Sequence, residues 1–135
     1  MTDADNIQAL IQYRLEQADE ALVAAELSLN NGLHRSTVNR AYYSMFYSVL
    51  ALLASGQAET SKHSGAISEL DQWYVKPGLP KEFSRWLHDA FLNRQAADYG
   101  SELKLSREEI DLLLAHARDF LAGVRQYLGA SAPQE

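Results

Sequence analysis

The 135 residues include no cysteine. That excludes disulfides and thiolate metal ligands, and it fits a reducing compartment. No apolar run approaches the roughly 20 residues that a membrane-spanning helix requires. The first residues, Met1-Thr2-Asp3-Ala4-Asp5, are acidic where a secretory leader would be basic. The expectation is a cytoplasmic protein with no membrane association. Positive charge is scarce as well: 12 Lys and Arg stand against 18 Asp and Glu, a net charge of −6. Proteins that hold nucleic acid along many phosphates are usually basic, so extended non-specific DNA binding is not expected. Local contact with RNA stays open, because the acid is unevenly spread. Asp3, Asp5, Glu16, Asp19, Glu20 and Glu26 crowd the N-terminal segment around a single Arg14, whereas the middle carries Lys62, Lys76, Lys81, Arg85 and Arg94.

Several chemical signatures are missing too. There is no Gly-rich phosphate loop, no Gly-x-Ser-x-Gly elbow and no His-x-x-x-His pair. His34, His88 and His116 lie far apart, so neither a metal nor another cofactor is expected. No segment alternates with period two, which argues against any sheet.

What is present is helical periodicity between clear stops at Asn31-Gly32, Gly56, Pro77-Gly78, Pro80 and Gly100. Ile7, Ile11, Leu15, Ala18, Leu22, Ala25 and Leu29 form one stripe of a first helix from about Asp5 to Asn30. A second helix, about His34 to Ser55, is apolar over a wide surface (Val38, Ala41, Tyr42, Met45, Phe46, Val49, Leu50, Leu53), which places it at the centre. A short third helix, from about Lys62 to Tyr74, has Ser61 placed as its cap. A rigid turn at 77–80 precedes a fourth helix, which starts near Pro80 and stops by Gly100. The fifth opens with a capping box, Ser106 and Glu109. The fold class predicted is all-α, an up-and-down antiparallel bundle of about five helices over residues 1–128, with 129–135 a flexible C-terminal tail.

Three groups could carry chemistry. In Asn39-Arg40-Ala41-Tyr42-Tyr43-Ser44-Met45-Phe46-Tyr47, Arg40, Tyr43 and Tyr47 share a helix face. On the residues alone an aromatic core helix with one buried or interfacial Arg is the plainer reading. Ser61-Lys62-His63-Ser64-Gly65 opens the third helix, where backbone N–H groups favour anions and His63 titrates near neutral pH. On the residues alone a plain capping segment with an exposed His is the simpler reading. Arg94-Gln95-Ala96-Ala97-Asp98-Tyr99-Gly100 closes the fourth helix. Its Arg94 and Asp98 are i,i+4 neighbours, either a surface salt bridge or an inward pair that holds Arg94 to grip a phosphate.

Taken in order, Arg40-Ala41-Tyr42-Tyr43-Ser44-Met45-Phe46, Lys62-His63-Ser64-Gly65 and Arg94-Gln95-Ala96-Ala97-Asp98-Tyr99-Gly100 resemble the motifs of a HEPN domain of the UPF0332-like branch. The resemblance implies a helical bundle that forms a homodimer and acts as the toxin-like or nucleotide/RNA-binding half of a two-component module, with a small nucleotidyltransferase antitoxin as partner. Two alternatives come with it: a metal-independent endoribonuclease toxin and a non-catalytic nucleotide-binding dimer. Ribonuclease members carry Arg and then, after about four to six residues, His. Arg94 matches that Arg. Tyr99 stands where the nearest His would fall, with Gly100 and Ser101 at the longer gaps. Tyrosine, with an ordinary pKa of about 10, is a poor general base. The resemblance therefore makes Arg94 and His63 the catalytic candidates, His63 standing in for the absent His. Arg40, Tyr43, Lys62, Asp98 and Tyr99 are the candidates for holding nucleotide or phosphate. Arg40, His63, Arg94, Asp98 and Tyr99 are expected to meet at one polar site. Large aromatics such as Tyr43, Tyr47 and Trp86 are expected to exceed what one small core can hide, and so to mark a dimer surface.

Overall fold

The computed structural model describes residues 2–56, 62–75, 78–100 and 103–131. Among them there are five helices and no strand: α1 (Asp3–Asn30), α2 (His34–Ser55), α3 (His63–Glu69), α4 (Glu82–Tyr99) and α5 (Arg107–Ser131). The expected all-α bundle is what the chain forms.

Local chemistry sets most of the boundaries. Helix α1 begins before Asp5 because Thr2 and Asp5 cap each other. The Asp5 amide donates to Thr2 Oγ1 at 3.1 Å, and the Thr2 amide donates to Asp5 Oδ2 at 3.3 Å. Its far end closes at Gly32, whose φ of 72° lies in the left-handed region that glycine enters without steric penalty. The Ser106–Glu109 capping box of α5 is formed in both directions, each bond 3.1 Å. Helix α5 runs on to Ser131, past the Leu128 boundary expected from the sequence.

The third helical segment differs from expectation. Position Lys62, not Ser61, precedes the first helical residue, and among the described residues no side-chain cap bond is formed there. Ser61 itself lies outside the described residues. After Glu69 the coil widens into a π-helical stretch, Leu70–Val75. Leu70 and Tyr74 are buried from this stretch, and Tyr74 Oη donates to the Leu52 carbonyl of α2 at 2.7 Å. That bond pins the segment across the C-terminal end of α2. The turn after it folds back on itself, the amides of Gly78 and Leu79 both donating to the Tyr74 carbonyl. Pro77 lies outside the described residues, and α4 starts at Glu82 rather than at Pro80.

Helix α2 occupies the centre, packed on α1, α3, α4 and α5. Its width of apolar surface is the reason: Val38, Ala41, Tyr42, Met45, Val49, Ala51, Leu52 and Leu53 are all essentially inaccessible. Against α1 it packs closely through small residues, and Ser44 Oγ donates to the Ala18 carbonyl at 2.9 Å, which satisfies a buried hydroxyl. On the α4–α5 side Phe83 and Phe120 stack at 4.7 Å. Here Gly123 is required by proximity, since a Cβ at that position would stand 2.5 Å from Phe83 Cζ.

The large aromatics do not form the exposed surface expected of them. Tyr43, Tyr47 and Trp86 are half-buried and packed against the core, so the bundle does absorb them. The exposed large apolar side chains are others, among them Val23 and Leu27 on α1, Leu33 and Leu92.

Candidate functional site

Helix α2 brings Asn39, Arg40, Tyr42, Tyr43 and Phe46 to one end of the bundle, α4 brings Phe91, Arg94 and Asp98, and the start of α3 brings His63. The centre of the arrangement is Arg94. A guanidinium on the inward face of α4 cannot lose its proton, so burial must be offset by a counter-charge or by π-faces. Arg94 has both. Only 8% of it is exposed. Its guanidinium carbon lies 5.3 Å from the ring centre of Tyr42, 5.7 Å from Tyr43 and 5.6 Å from Phe91. Its Nη1 reaches Asp98 Oδ2 at 3.4 Å. The Nε is sealed from solvent and has no hydrogen-bond partner among the described residues. The i,i+4 pair is thus the inward one, with the carboxylate nearer the rim.

Asp98 is held from a second helix. Asn39 Nδ2 lies 3.2 Å from each of its carboxylate oxygens. Asn39 Oδ1 in turn accepts from Arg40 Nε at 2.9 Å, and the Arg40 guanidinium lies over the Tyr43 ring at 4.9 Å. Arg40, Asn39, Asp98 and Arg94 therefore form a continuous polar chain across α2 and α4. Beside it an open groove of about 440 Å³ is lined by Ser28, Arg35, Ser36, Asn39, Arg40 and Asp98. Arg35 stitches this end of the bundle together by donating from Nη1 to the carbonyls of Ala97 and Gly100 at the end of α4.

His63 stacks on Phe46 at 4.4 Å, packs edge-on to Tyr43 at 5.9 Å and faces Phe91 at 5.9 Å. Its Nδ1 is hydrogen-bonded to the hydroxyl of Tyr42. Burial, and after it the Arg94 charge, hold the imidazole below its usual range, so it is neutral at neutral pH. Burial pushes the Tyr42 phenol well above its ordinary value, against the opposing pull of Arg94.

Of the expected site residues, Arg40, Tyr43, His63, Arg94 and Asp98 come together around the Tyr42 and Tyr43 rings. Tyr99 does not join them: it is 81% exposed beyond the end of the cluster. Lys62 is exposed beside His63 in the chain. His116 stacks on Trp86 at 4.1 Å between α4 and α5, and His88 is exposed. Among the described residues no three His, Asp or Glu side chains converge as metal ligands would. Sequence reasoning missed Asn39, Tyr42 and Arg35. Tyr42 was hidden by its own periodicity, which is that of a core residue. Asn39 and Arg35 act on α4 from sequence distances that no spacing rule reveals.

Residues 11–127 match the HEPN domain model. The chain belongs to the HEPN family. Its relatives include two candidate toxins of Methanocaldococcus jannaschii. One is 34% identical, aligned over 87% of this chain and 81% of its own length. The other is 32% identical, over 91% and 92%. A UPF0332 protein of Thermotoga maritima is 33% identical over 90% of this chain and 92% of its own. The helical order α1 to α5 is therefore that of a HEPN bundle, and the Arg94 motif sits at the end of its fourth helix.

Proposed function

We propose that this HEPN protein is the toxin-like half of a two-component module and that the Arg94 cluster binds phosphate groups of RNA or a nucleotide without cleaving them efficiently. The observation that carries the reading is the buried Arg94: its charge is held by Asp98 and three aromatic rings, and its Nε has no partner among the described residues. Burying an ion is costly, and such groups are retained where charge is needed at a fixed point. Arg40, which lies over the Tyr43 ring, supplies a second cation on the same side. The candidate toxins among the relatives support the toxin-like role. A nucleotidyltransferase antitoxin, a homodimer and a cytoplasmic location belong to this proposal. Copurification from the host and sedimentation at micromolar concentration test the first two.

The site holds Arg94 but not the His that the family's ribonucleases carry at motif spacing, where Tyr99 stands. Deprotonating a 2′-hydroxyl needs a base of suitable pKa, and loss of such a group costs about a hundred- to ten-thousand-fold in rate. A second reading, endoribonuclease with His63 as base, rests on His63 lying against the same rings as Arg94. Structured RNA incubated with wild type, His63→Ala and Arg94→Ala in the presence of a chelator separates the two. Binding without cleavage, lost in Arg94→Ala, is the expected outcome. Robust cleavage abolished by both substitutions would install the ribonuclease reading instead.

A further inference from the structure

We propose that Tyr42 locks His63 in the Nε2–H tautomer, so that His63 serves the phosphate site as a hydrogen-bond donor and is withheld from acting as a base. The inference rests on the reading of the cluster as a phosphate site and assigns His63 its part in it.

The argument is one of proton accounting. Tyr42 is inaccessible to solvent, so its hydroxyl proton needs a protein acceptor. Among the described residues the acceptor within hydrogen-bond reach of the hydroxyl is His63 Nδ1. Arg94, whose charge bears on the Tyr42 hydroxyl, has only donors, so it can approach the oxygen lone pairs but never accept the proton. The phenol does not ionise near neutral pH, because burial raises it. The proton therefore goes to Nδ1, which must be unprotonated to accept it. A neutral imidazole with Nδ1 as acceptor carries its hydrogen on Nε2. The opposite pattern, Nδ1–H donating to Tyr42, would leave a buried hydroxyl proton with no acceptor.

The other ring nitrogen completes the picture. Nε2 makes no hydrogen bond to the described residues, and the His63 side chain is part-exposed. What it offers is a hydrogen. Together with the Arg40 and Arg94 guanidinium groups, this side of the bundle presents donors to an oxyanion. For Nε2 to take a proton from a hydroxyl, the ring would have to charge beside Arg94 or first move its other proton onto the side where Tyr42 already donates.

Tautomers are read directly by long-range proton–nitrogen correlation spectra of the nitrogen-labelled full chain without ligand, with His63 assigned from its absence in His63→Gln. The expected spectrum at neutral pH has an unprotonated Nδ1 and a protonated Nε2, and Tyr42→Phe shifts this towards a mixture of both tautomers. A wild-type spectrum dominated by Nδ1–H overturns the proposal, as does an unchanged pattern in Tyr42→Phe. Should Tyr42→Phe fail to fold, the wild-type spectrum decides alone, through the tautomer and through a nuclear Overhauser contact from the Tyr42 hydroxyl proton to the His63 ring. The donor role is read by titrating inorganic phosphate. His63→Ala is expected to weaken binding roughly tenfold, and His63→Gln, which keeps an N–H donor but cannot act as a base, to restore most of it. Equal weakening in both variants overturns the donor role. Failure of wild type to bind phosphate overturns the reading of the site, and with it that role, while the ligand-free tautomer stands or falls separately.

Discussion

Arginine meets carboxylate in two very different parts of this bundle. Between α1 and α5, Arg125 pairs with Asp19 and Arg118 with Glu26, each side chain about half exposed. Within α4, on the side that faces α2, Arg94 pairs with Asp98 under a roof of aromatic rings, its side chain 10% exposed. The chemistry of the partners is the same, but the solvent is not. At the α1–α5 seam water and salt screen the charges, and apolar burial holds the helices, with Leu15 and Ala18 of α1 and Leu121 and Val124 of α5 in the common core. At the α2–α4 contact an ion has been taken out of water, which a stability argument alone would not favour. The contrast separates charges that decorate an interface from a charge that, in the proposed function, is kept for binding.

The sharpest way to break the contrast is Arg94→Met. It fills the cavity with apolar volume and leaves Asp98 near the rim, still bonded to Asn39. Binding of RNA or nucleotide is expected to fall about 10- to 100-fold, as for a lost hydrogen bond to a charged group. Urea unfolding is expected to show stability unchanged or slightly higher, by about 1 kcal/mol. Large destabilisation with intact binding would make Arg94 a structural residue and end the contrast.

Acid is the next probe. His63 and His116 are both held below their ordinary range in the folded state, chiefly by burial. The unfolded chain therefore binds more protons than the folded one as pH falls below about 6.5. Their contribution to stability is complete above that pH and declines as pH falls from it towards the depressed folded-state values. His63→Gln is expected to reduce this slope and leave the part due to His116. Urea midpoints measured across a pH series check this, and an unaltered slope would place the titrating group elsewhere.

The smallest effects belong to the surface. Arg125→Ala and Arg118→Ala are each expected to cost less than about 1 kcal/mol. The cost should shrink further in molar salt, where the screening length falls to roughly 3 Å. A larger cost that persists in salt would show that these pairs hold the α1–α5 seam after all.

Much of the fold was legible in the chain. Helix α2 was visible as central because apolar residues cover most of its circumference, and Ser106 with Glu109 announced the start of α5 through short-range capping. Less legible were the ends whose causes lie elsewhere. The Thr2–Asp5 box was overlooked at the very terminus, and the π-helical widening at Leu70–Val75 has Tyr74 anchored on the Leu52 carbonyl, a partner of another helix. The site was legible as three motifs expected to meet at one place, but not in its detail: Tyr99, adjacent to Asp98 in the motif, projects away from the others.

Local periodicity and capping chemistry thus determined that this chain is helical, where most of its helices begin and end, and which faces turn inward, because these depend on residues within a few positions of one another. Only the packing of α4 across α2 decided that the Arg94–Asp98 pair is buried and not a surface bridge. Only the docking of α3 against both decided that His63 would meet Tyr42, since which nitrogen of an imidazole carries the proton depends on the partner that tertiary structure supplies.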